Sequence, residues 1–589
     1  MHVVATAGHV DHGKSTLVKA LTGTEPDRLE EERRRGLTIE LGYAWTTLPG
    51  PDGATEQEVA FVDVPGHERF LRTMLSGVGP VPAALLVVAA DDPWMPQAAE
   101  HLAALAALGV EHAVVAVSRT DLTDPSATAA RARTEIDRTP MRGAAVVPVS
   151  AVTGAGLDDL RRAIASMVAS LPAPDSAADV RLWVDRSFHV RGAGTVVTGT
   201  LASGMVRVGD RLSAGDHAGP VRVRGLQALG TDRETVSGVA RVALNIVADD
   251  RADVSRHAVL VTPGAWLFTG AVDVRLSPAG HDALEAPPPE RSVLHVGTLD
   301  VPVRVRPFDD RHVRLTLDHP VPLRIGDRAV LRDPGSRRMW GVGVLDPAPP
   351  RLRRRGSGRR RAELLGAHPG VPELSGEVRR RGVVHADRLR MLGVAVGPGA
   401  GWLVDEAAGD ALRRRMREVV DRHDAEHPLD PGMPVPALTR VLALPDLQVT
   451  LDLVAPPLRV TGGRVTASTP DRGLPADLER SLSALASDLS DAPFGAPTAD
   501  RMRELGLDRR SVGAAARAGR LIDLGDGIVL LPDAPARAVE ELAELAQPFT
   551  TSEARQRLGS TRRVVLPLLA HLDRTGLTRR HDDDRREVV

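Results

Sequence analysis

The chain has 589 residues, too many for one hydrophobic core, so several domains, on the order of four, are expected. A hydrophobic content of 42% and a charged content of 26% are those of a globular protein. No apolar run reaches the length of a membrane span, so a disordered chain and a membrane-spanning one are both excluded. The net charge of −2 gives no global sign of nucleic-acid binding, and any such surface must be local.

Cysteine is absent, which removes disulfides, thiolate zinc sites and iron–sulfur clusters and leaves only His and carboxylates for a metal. The N-terminus enters a strand at once, with no basic region before an apolar segment, so a cytoplasmic protein is expected. Lys14 and Lys19 are the only lysines among 75 Lys plus Arg residues. That ratio reads as the coding bias of a GC-rich genome, against which a kept lysine can mark a place where arginine is chemically unacceptable; Lys14 is read so, and Lys19, on a helix face, as a solvated charge.

Apolar runs at Val3 to Ala7, Val59 to Val64, Ala83 to Ala90, His112 to Ser118 and Ala144 to Pro148 alternate with Ala- and Leu-rich amphipathic stretches. This is the rhythm of a parallel sheet covered by helices, and it sets an α/β domain over residues 1–172. After the stiff linker Leu171-Pro172-Ala173-Pro174, short Val-rich strands broken by Gly, Asp and Pro predict two β-barrels, 178–268 and 269–348. The turns Val208-Gly209-Asp210 and Ile325-Gly326-Asp327 fall at similar places in the two. The arginine-rich stretch 349–361 reads as a solvated linker. Over 362–589, helix, helix-turn-helix and wing patterns predict two to four α+β winged-helix repeats, one through Arg509-Arg510-Ser511 with a wing turning at Gly525-Asp526-Gly527, and the last at about 540–589.

Gly8-His9-Val10-Asp11-His12-Gly13-Lys14-Ser15 matches G-x-x-x-x-G-K-[ST] between a strand and a helix, the setting in which such a loop cradles phosphates. The backbone of Asp11, His12, Gly13, Lys14, Ser15 and Thr16 is expected to surround the phosphates, Lys14 to reach the β and γ oxygens and the Ser15 hydroxyl to bind Mg²⁺. A compact ammonium suits that crowded cradle where a planar guanidinium does not. Asp63-Val64-Pro65-Gly66 closes a strand: Asp63 would act on Mg²⁺ through water and the Gly66 N–H would touch the γ-phosphate. Thr38, inside Arg35-Gly36-Leu37-Thr38-Ile39-Glu40, would close over the metal only with that phosphate present. His67, next to Gly66, is placed to orient the attacking water. Guanine recognition normally takes Asn-Lys-x-Asp, and here Ser118-Arg119-Thr120-Asp121 stands in its place. Asp121 keeps the contact that distinguishes guanine, Arg119 can pack on the ring, and Ser118 is expected to tether the loop less well. Ser150, Ala151 and Val152 supply the loop that meets the guanine oxygen. Together these predict a GTP-hydrolysing enzyme.

The segments GHVDHGKST (8–16), RGLTIE (35–40) and DVPGH (63–67), with GAGTVVTGT (192–200) in the first barrel, resemble the elongation factor Tu superfamily over roughly residues 1–348. Within it, the stretch from Leu21-Thr22-Gly23 through Asp27-Arg28-Leu29-Glu30-Glu31 to Leu41-Gly42-Tyr43-Ala44 is similar to the selenocysteine-specific elongation factors (SelB). The initiation-factor gamma subunit has a similar segment but usually carries zinc-binding cysteines and no long C-terminal extension. Ordinary elongation factor Tu ends soon after the barrels, so the winged-helix tail decides the choice. The resemblance implies a monomeric factor that carries selenocysteyl-tRNA to the ribosome at recoded UGA codons. It also implies a terminal winged helix gripping a messenger RNA hairpin, for which the matching residues are Arg562, Arg563, Arg579 and Arg580. Clustered guanidiniums suit backbone charge and flipped loop bases. There the stretch from Phe549 reads as a capped helix start, and Pro567 is expected to kink the next helix. The family further implies a barrel pocket for the selenocysteyl end, with Asp185, Arg186, His189 and Arg241 on or near its strands. Two other readings stay open: another tRNA-delivering or ribosome-associated GTPase, and a winged-helix DNA-binding regulator with a GTPase core as nucleotide sensor.

Overall fold

The computed structural model describes residues 1–26, 38, 40–53, 55–67, 70–79, 81–92, 94–192, 194–215, 219–248, 254–255, 257–279, 287–352, 356–467 and 474–589. Arg35, Gly36, Leu37 and Ile39 of the switch motif, the segment Asp27 to Glu31 and Ala193 of the barrel signature lie outside the described residues. The chain divides into two compact units, Met1–Leu403 and Val404–Val589. Among the described residues no helix is long and apolar enough to cross a membrane.

The first unit opens with β1 (His2–Ala7), α1 (Lys14–Thr22), β2 (Gly42–Pro49), β3 (Glu56–Asp63), α2 (Leu71–Val78), β4 (Ala83–Ala89), α3 (Pro96–Ala107), β5 (His112–Ser118), α4 (Ser126–Ile136), β6 (Ala145–Pro148) and α5 (Leu157–Ala169). The sheet order is β2-β3-β1-β4-β5-β6, with β2 antiparallel to β3 and the other pairs parallel. β4 is buried at every position. A strand covered by helices on both faces must be apolar throughout, hence the unbroken run Ala83 to Ala89. The carboxyl ends of β1, β3, β4 and β5 converge on one edge, which is where the loops with the phosphate and base motifs emerge.

The next domain is built from β7 (Arg181–Val190), β8 (Gly194–Leu201), β9 (Met205–Arg207), β10 (Arg211–Ala214), β11 (Pro220–Ala228), β12 (Thr231–Asp232), β13 (Thr235–Ser237), β14 (Ala240–Ala248) and β15 (Val259–Val261). Its main sheet runs β10-β15-β7-β8-β14-β11-β12, and a further β10–β11 pairing closes the circuit. The third domain is a closed barrel, β16-β19-β18-β17-β20-β21, from β16 (Phe268–Ala279), β17 (Arg291–Val296), β18 (Leu299–Pro307), β19 (His312–Pro322), β20 (Arg328–Arg332) and β21 (Met339–Asp346). The two similar turns share one hydrogen-bond pattern. Gly209 N–H donates to Val223 O at 2.8 Å and Val223 N–H to Asp210 O at 2.9 Å, while Gly326 N–H donates to Val344 O and Val344 N–H to Asp327 O, each at 2.9 Å. Both glycines have φ above +90°, a conformation that favours a residue without Cβ.

The expected solvated linker 349–361 is corrected by the structure. Helix α6 (Ser357–Gly366) begins inside it, and Arg361 is 7% exposed. Its guanidinium donates to Asp273 at 2.6 Å and to Asp346 at 2.5 Å. Arg314 also holds Asp273, at 2.6 and 2.9 Å, and Arg381 holds Asp346 at 2.8 Å. Charge density in a sequence shows the arginines but not carboxylates delivered from strands elsewhere in the chain. With α7 (Leu374–Arg381), β22 (Val383–His385), α8 (Ala386–Met391) and β23 (Trp402–Val404), α6 forms a first winged-helix unit, whose Val384, Leu389 and Leu392 are buried with Ile325 of the barrel domain.

The second unit begins with the long helix α9 (Glu406–Glu426) and continues in three helix-and-hairpin units. They run through α10 (Val435–Leu442) and α11 (Leu447–Leu453), then α12 (Ala476–Asp491), α13 (Ala499–Glu504) and α14 (Arg509–Arg517), then α15 (Ala534–Ala543), α16 (Thr551–Arg557) and α17 (Arg562–Arg574). With the unit in 357–404, the described residues hold four. The turn at Gly525-Asp526-Gly527 has φ of 87°, 49° and 72°. α16 starts on a capping box between Thr550 and Glu553, and α17 is a single helix through Pro567.

Candidate functional site

β1 leads into Gly8, whose φ is +132° and where a Cβ would lie 2.1 Å from Val87 O; only glycine lets the loop turn against β4. α1 starts at the left-handed Gly13 (φ 78°) with no side-chain cap, so its first-turn N–H groups face the loop without a side-chain acceptor, as an anion site requires. Lys14 is buried, and its Nζ donates to His9 O at 2.7 Å and Gly8 O at 3.1 Å. Gly66 packs on the same place: a Cβ there would be 2.4 Å from Lys14 Nζ and 2.6 Å from Val10 N. His67 is half-buried, its ring edge-on to Phe70 at 6.1 Å. Two buried histidines support the loop: His101, which the sequence reading passed over, and the side chain of His12. His101 Nδ1 accepts the Gly8 N–H at 3.1 Å, and burial, with Lys14 nearby, drives its pKa down to about 3. His12 is fully buried, with Nδ1 3.3 Å from Val87 O and Nε2 3.2 Å from Asp92, and burial holds its pKa below the ordinary value.

Ser15, Thr38 and Asp63 come together. Ser15 Oγ lies 2.7 Å from Asp63 Oδ2 and 3.1 Å from Thr38 Oγ1. Thr6, not anticipated, orients the carboxylate: its hydroxyl donates to Asp63 Oδ1 at 2.6 Å and accepts the Val64 N–H at 3.1 Å. Two hydroxyls and a carboxylate are hard oxygen donors of the kind Mg²⁺ takes, so the residues present fit that ion.

In the loops expected to recognise the base, Ser118 keeps one tether to the phosphate loop. Its Oγ donates to His12 O at 2.7 Å, the short side chain sufficing because β5 ends directly under the loop. Asp121 accepts from Ser150 Oγ at 2.6 Å, and Ser150 also caps Thr153 N–H at 3.2 Å. Arg119 reaches Asp91 at 3.2 Å and the carbonyl of Asp11. Ala151 is half-buried, Val152 is 82% exposed at the loop tip, and Asp11 and Thr16 are exposed at the mouth of the site.

Where β2 meets the first barrel, Asp185, Arg186 and Arg241 converge around Tyr43. Arg241 grips Asp185 with both terminal nitrogens and lies over the Tyr43 ring at 3.8 Å; Thr198 Oγ1 donates to Asp185 at 2.8 Å. Burial alone would lower the Arg241 pKa, but Asp185 more than offsets it and the net direction is up. Burial also raises the Tyr43 hydroxyl. Arg186 bonds Leu41 O at 2.8 Å and Glu40 at 3.1 Å. A cavity of about 210 Å³ opens here, with Tyr43, Arg186, Phe188, Thr198 and Arg241 on its walls. His189 is not part of it. The β7–β8 register slips between Val184 and Arg186, which lets the neighbours Asp185 and Arg186 both reach the cluster, and beyond that bulge the alternation puts the exposed Phe188 on the cavity wall and His189 on the opposite face of the strand.

In the last winged helix, Arg562 and Arg563 stand exposed on the first turn of α17; Arg562 has no ion pair among the described residues, and Arg563 donates to Asp526 O at 3.1 Å. The wing, β24 (Thr578–Arg580) and β25 (Arg586–Val588), is less cationic than expected. Arg579 faces Glu587 at 3.4 Å and Arg580 bonds Asp584 at 2.9 Å, which raises the Arg580 pKa.

A P-loop domain followed by two barrels and a winged-helix tail is the arrangement of a translational GTPase of the elongation factor Tu kind. The elongation factor Tu GTP binding domain model matches residues 1–170, and the winged helix of elongation factor SelB matches 540–586. The selenocysteine-specific elongation factor of Escherichia coli (strain K12) is 33% identical over 632 aligned residues, covering 99% of this chain and 98% of that protein. That of Desulfomicrobium baculatum is 34% identical over 393 residues, 64% of this chain and 61% of its own length. The crystal structure of a bacterial selenocysteine-specific elongation factor covers 100% of both chains with a TM-score of 0.77 and 25% identity. The chain belongs to the selenocysteine-specific elongation factor family.

Proposed function

We propose that this GTPase carries selenocysteyl-tRNA to the ribosome at recoded UGA codons while its last winged helix holds a messenger RNA hairpin, and that it acts as a cytoplasmic monomer. The observation that carries the reading is the guanidinium pair Arg186 and Arg241 on the wall of an open cavity beside β2. A selenolate is anionic near neutral pH, so cationic walls select it over serine's neutral hydroxyl. Asp185 is then the positioning residue that keeps Arg241 in place.

In the nucleotide site, the backbone from Asp11 to Thr16 would wrap the phosphates, Lys14 would leave the loop carbonyls for the β and γ oxygens, and Gly66 would donate its N–H to the γ-phosphate. Asp121 would accept the guanine N–H groups, with Arg119 on the ring, Ser118 as tether and Ser150, Ala151 and Val152 as the closing loop. Ser15, Thr38 and Asp63 would hold Mg²⁺, which when bound neutralises charge on the β- and γ-phosphates. His67 would orient the water that attacks. Hydrolysis removes the group that Thr38 and Gly66 grip, so both are released and the tRNA-binding form is lost. Arg562 and Arg563, with Arg579 and Arg580 from the wing, would meet the hairpin. Needing two RNAs at once raises the local concentration of the loaded factor at the right codon.

Filter binding with selenocysteyl-tRNA, seryl-tRNA, an ordinary aminoacyl-tRNA and duplex DNA, each with GTP and with GDP, tests this. Retention of selenocysteyl-tRNA alone, and only with GTP, is expected. Equal retention of seryl-tRNA would leave a general tRNA-delivering GTPase, and preference for duplex DNA would leave a nucleotide-sensing regulator.

A further inference from the structure

We propose that His9, His12 and Asp92 form a binding site for one divalent transition-metal ion of the Zn²⁺ class, beside the phosphate loop and separate from the Ser15, Thr38 and Asp63 oxygens. The three side chains each bring one ligand atom, and these atoms lie within 4.8 Å of one another. His12 Nε2 and Asp92 Oδ2 are 3.2 Å apart, close to the ~3.3 Å edge that tetrahedral bonds of about 2.0–2.1 Å require. Only His9, half-buried with its ring 5.0 Å from that of His12, has to swing inward.

Proton placement supplies the second argument. A carbonyl can only accept, so Nδ1 of His12 donates to Val87 O and Nδ1 of His9 to Val10 O. A neutral imidazole has one N–H. With both protons spent on carbonyls, Nε2 of each ring keeps its lone pair, and that of His12 faces a carboxylate oxygen, an acceptor against an acceptor. A cation between them removes the conflict. Imidazole anchored through Nδ1–H to a backbone carbonyl and coordinating through Nε2 is the usual outer-shell arrangement of metal-binding histidine. Two imidazoles and a carboxylate suit Zn²⁺, Co²⁺ or Ni²⁺ and not Mg²⁺, which takes oxygen. The chain offers no cysteine to compete. The ion would join the phosphate loop to the segment after β4.

The test is a Co²⁺ titration of the EDTA-treated, nucleotide-free full chain, read by visible d–d absorption, with Zn²⁺ displacement. One equivalent of Co²⁺ should bind and be displaced by Zn²⁺ but not by millimolar Mg²⁺. His9→Ala and Asp92→Asn should each weaken it beyond the roughly 10–100-fold that loss of an outer-shell partner costs. Ser15→Ala and His427→Ala, controls for the oxygen site and for the stacked His423–His427 pair on α9, should keep it. Circular dichroism reports whether each variant is folded. Absence of the band in the wild-type chain, or unchanged affinity in folded His9→Ala and Asp92→Asn, overturns the proposal, as does loss of the band in Ser15→Ala alone.

Discussion

The arginines of the last winged helix are not equivalent, and salt dependence exposes the difference. Each phosphate contact steepens the fall of log affinity against log salt by about 0.7–0.9. Among the described residues Arg562 has no carboxylate partner and Arg563 only a carbonyl, so replacing both with Ala should flatten the slope by about 1.4–1.8. Arg579 and Arg580 already face Glu587 and Asp584. To contact phosphate they must give up those partners, so they release few counterions, and replacing both should change the slope by less than about 1. The assay is fluorescence anisotropy of a labelled hairpin from a selenocysteine-coding message, titrated from 50 to 200 mM KCl, with GTP hydrolysis measured alongside. Equal slope changes for the two pairs would refute the reasoning, and an unaltered affinity in Arg562→Ala, Arg563→Ala would remove this face from the RNA site.

His67→Ala should bind GTP nearly as well as the parent and lose ribosome-stimulated hydrolysis by roughly 10²–10⁴-fold in single-turnover assays; unchanged turnover would remove His67 from the chemistry. His101 is folded with its pKa lowered to about 3 from 6.5. Its contribution is therefore present above pH 6.5 and is lost as pH falls toward 3, by about 1.4 kcal/mol at pH 5.5. Chemical denaturation at about pH 8 and at pH 5.5 should show that loss in the parent and not in His101→Gln, whose amide oxygen can still accept the Gly8 N–H. Arg361→Met should speed hydrogen exchange over residues 357–381 by roughly 30- to 150-fold, or about 2–3 kcal/mol. This falls below the ~3–5 kcal/mol of a buried pair that loses its only partner, because Arg314 and Arg381 still hold the two carboxylates; unchanged exchange would mean the ions do not hold the helix.

What could be read in the sequence was what the chain writes contiguously. The phosphate loop is one strand-turn-helix segment, so its glycines, Lys14 and Ser15 announce themselves, and the strand rhythm of the first domain follows from burial on both faces. Residues whose meaning depends on a distant partner stayed silent. His101 sits on the Gly8 amide from 93 residues away, and Thr6 reaches Asp63 across 57. Arg361 was taken for solvated charge because its carboxylates arrive on other strands. Ser118 was judged a weak substitute because its distance to the phosphate loop cannot be counted along the chain. His189 was grouped with Asp185 and Arg186 by proximity, and a single bulge in β7 turns it away.

β2 and the residues just before it have a role beyond filling the sheet. Thr38 lies beside Ser15, Glu40 and the Leu41 carbonyl hold Arg186, and Tyr43 lies under Arg241. Thr38 and the wall of the cavity thus stand on one stretch of six residues, 38 to 43. Coupling between two such sites is reciprocal. Whatever factor GTP adds to the affinity for a charged tRNA, the tRNA must add to the affinity for GTP, so the timing of the factor can be measured from either end.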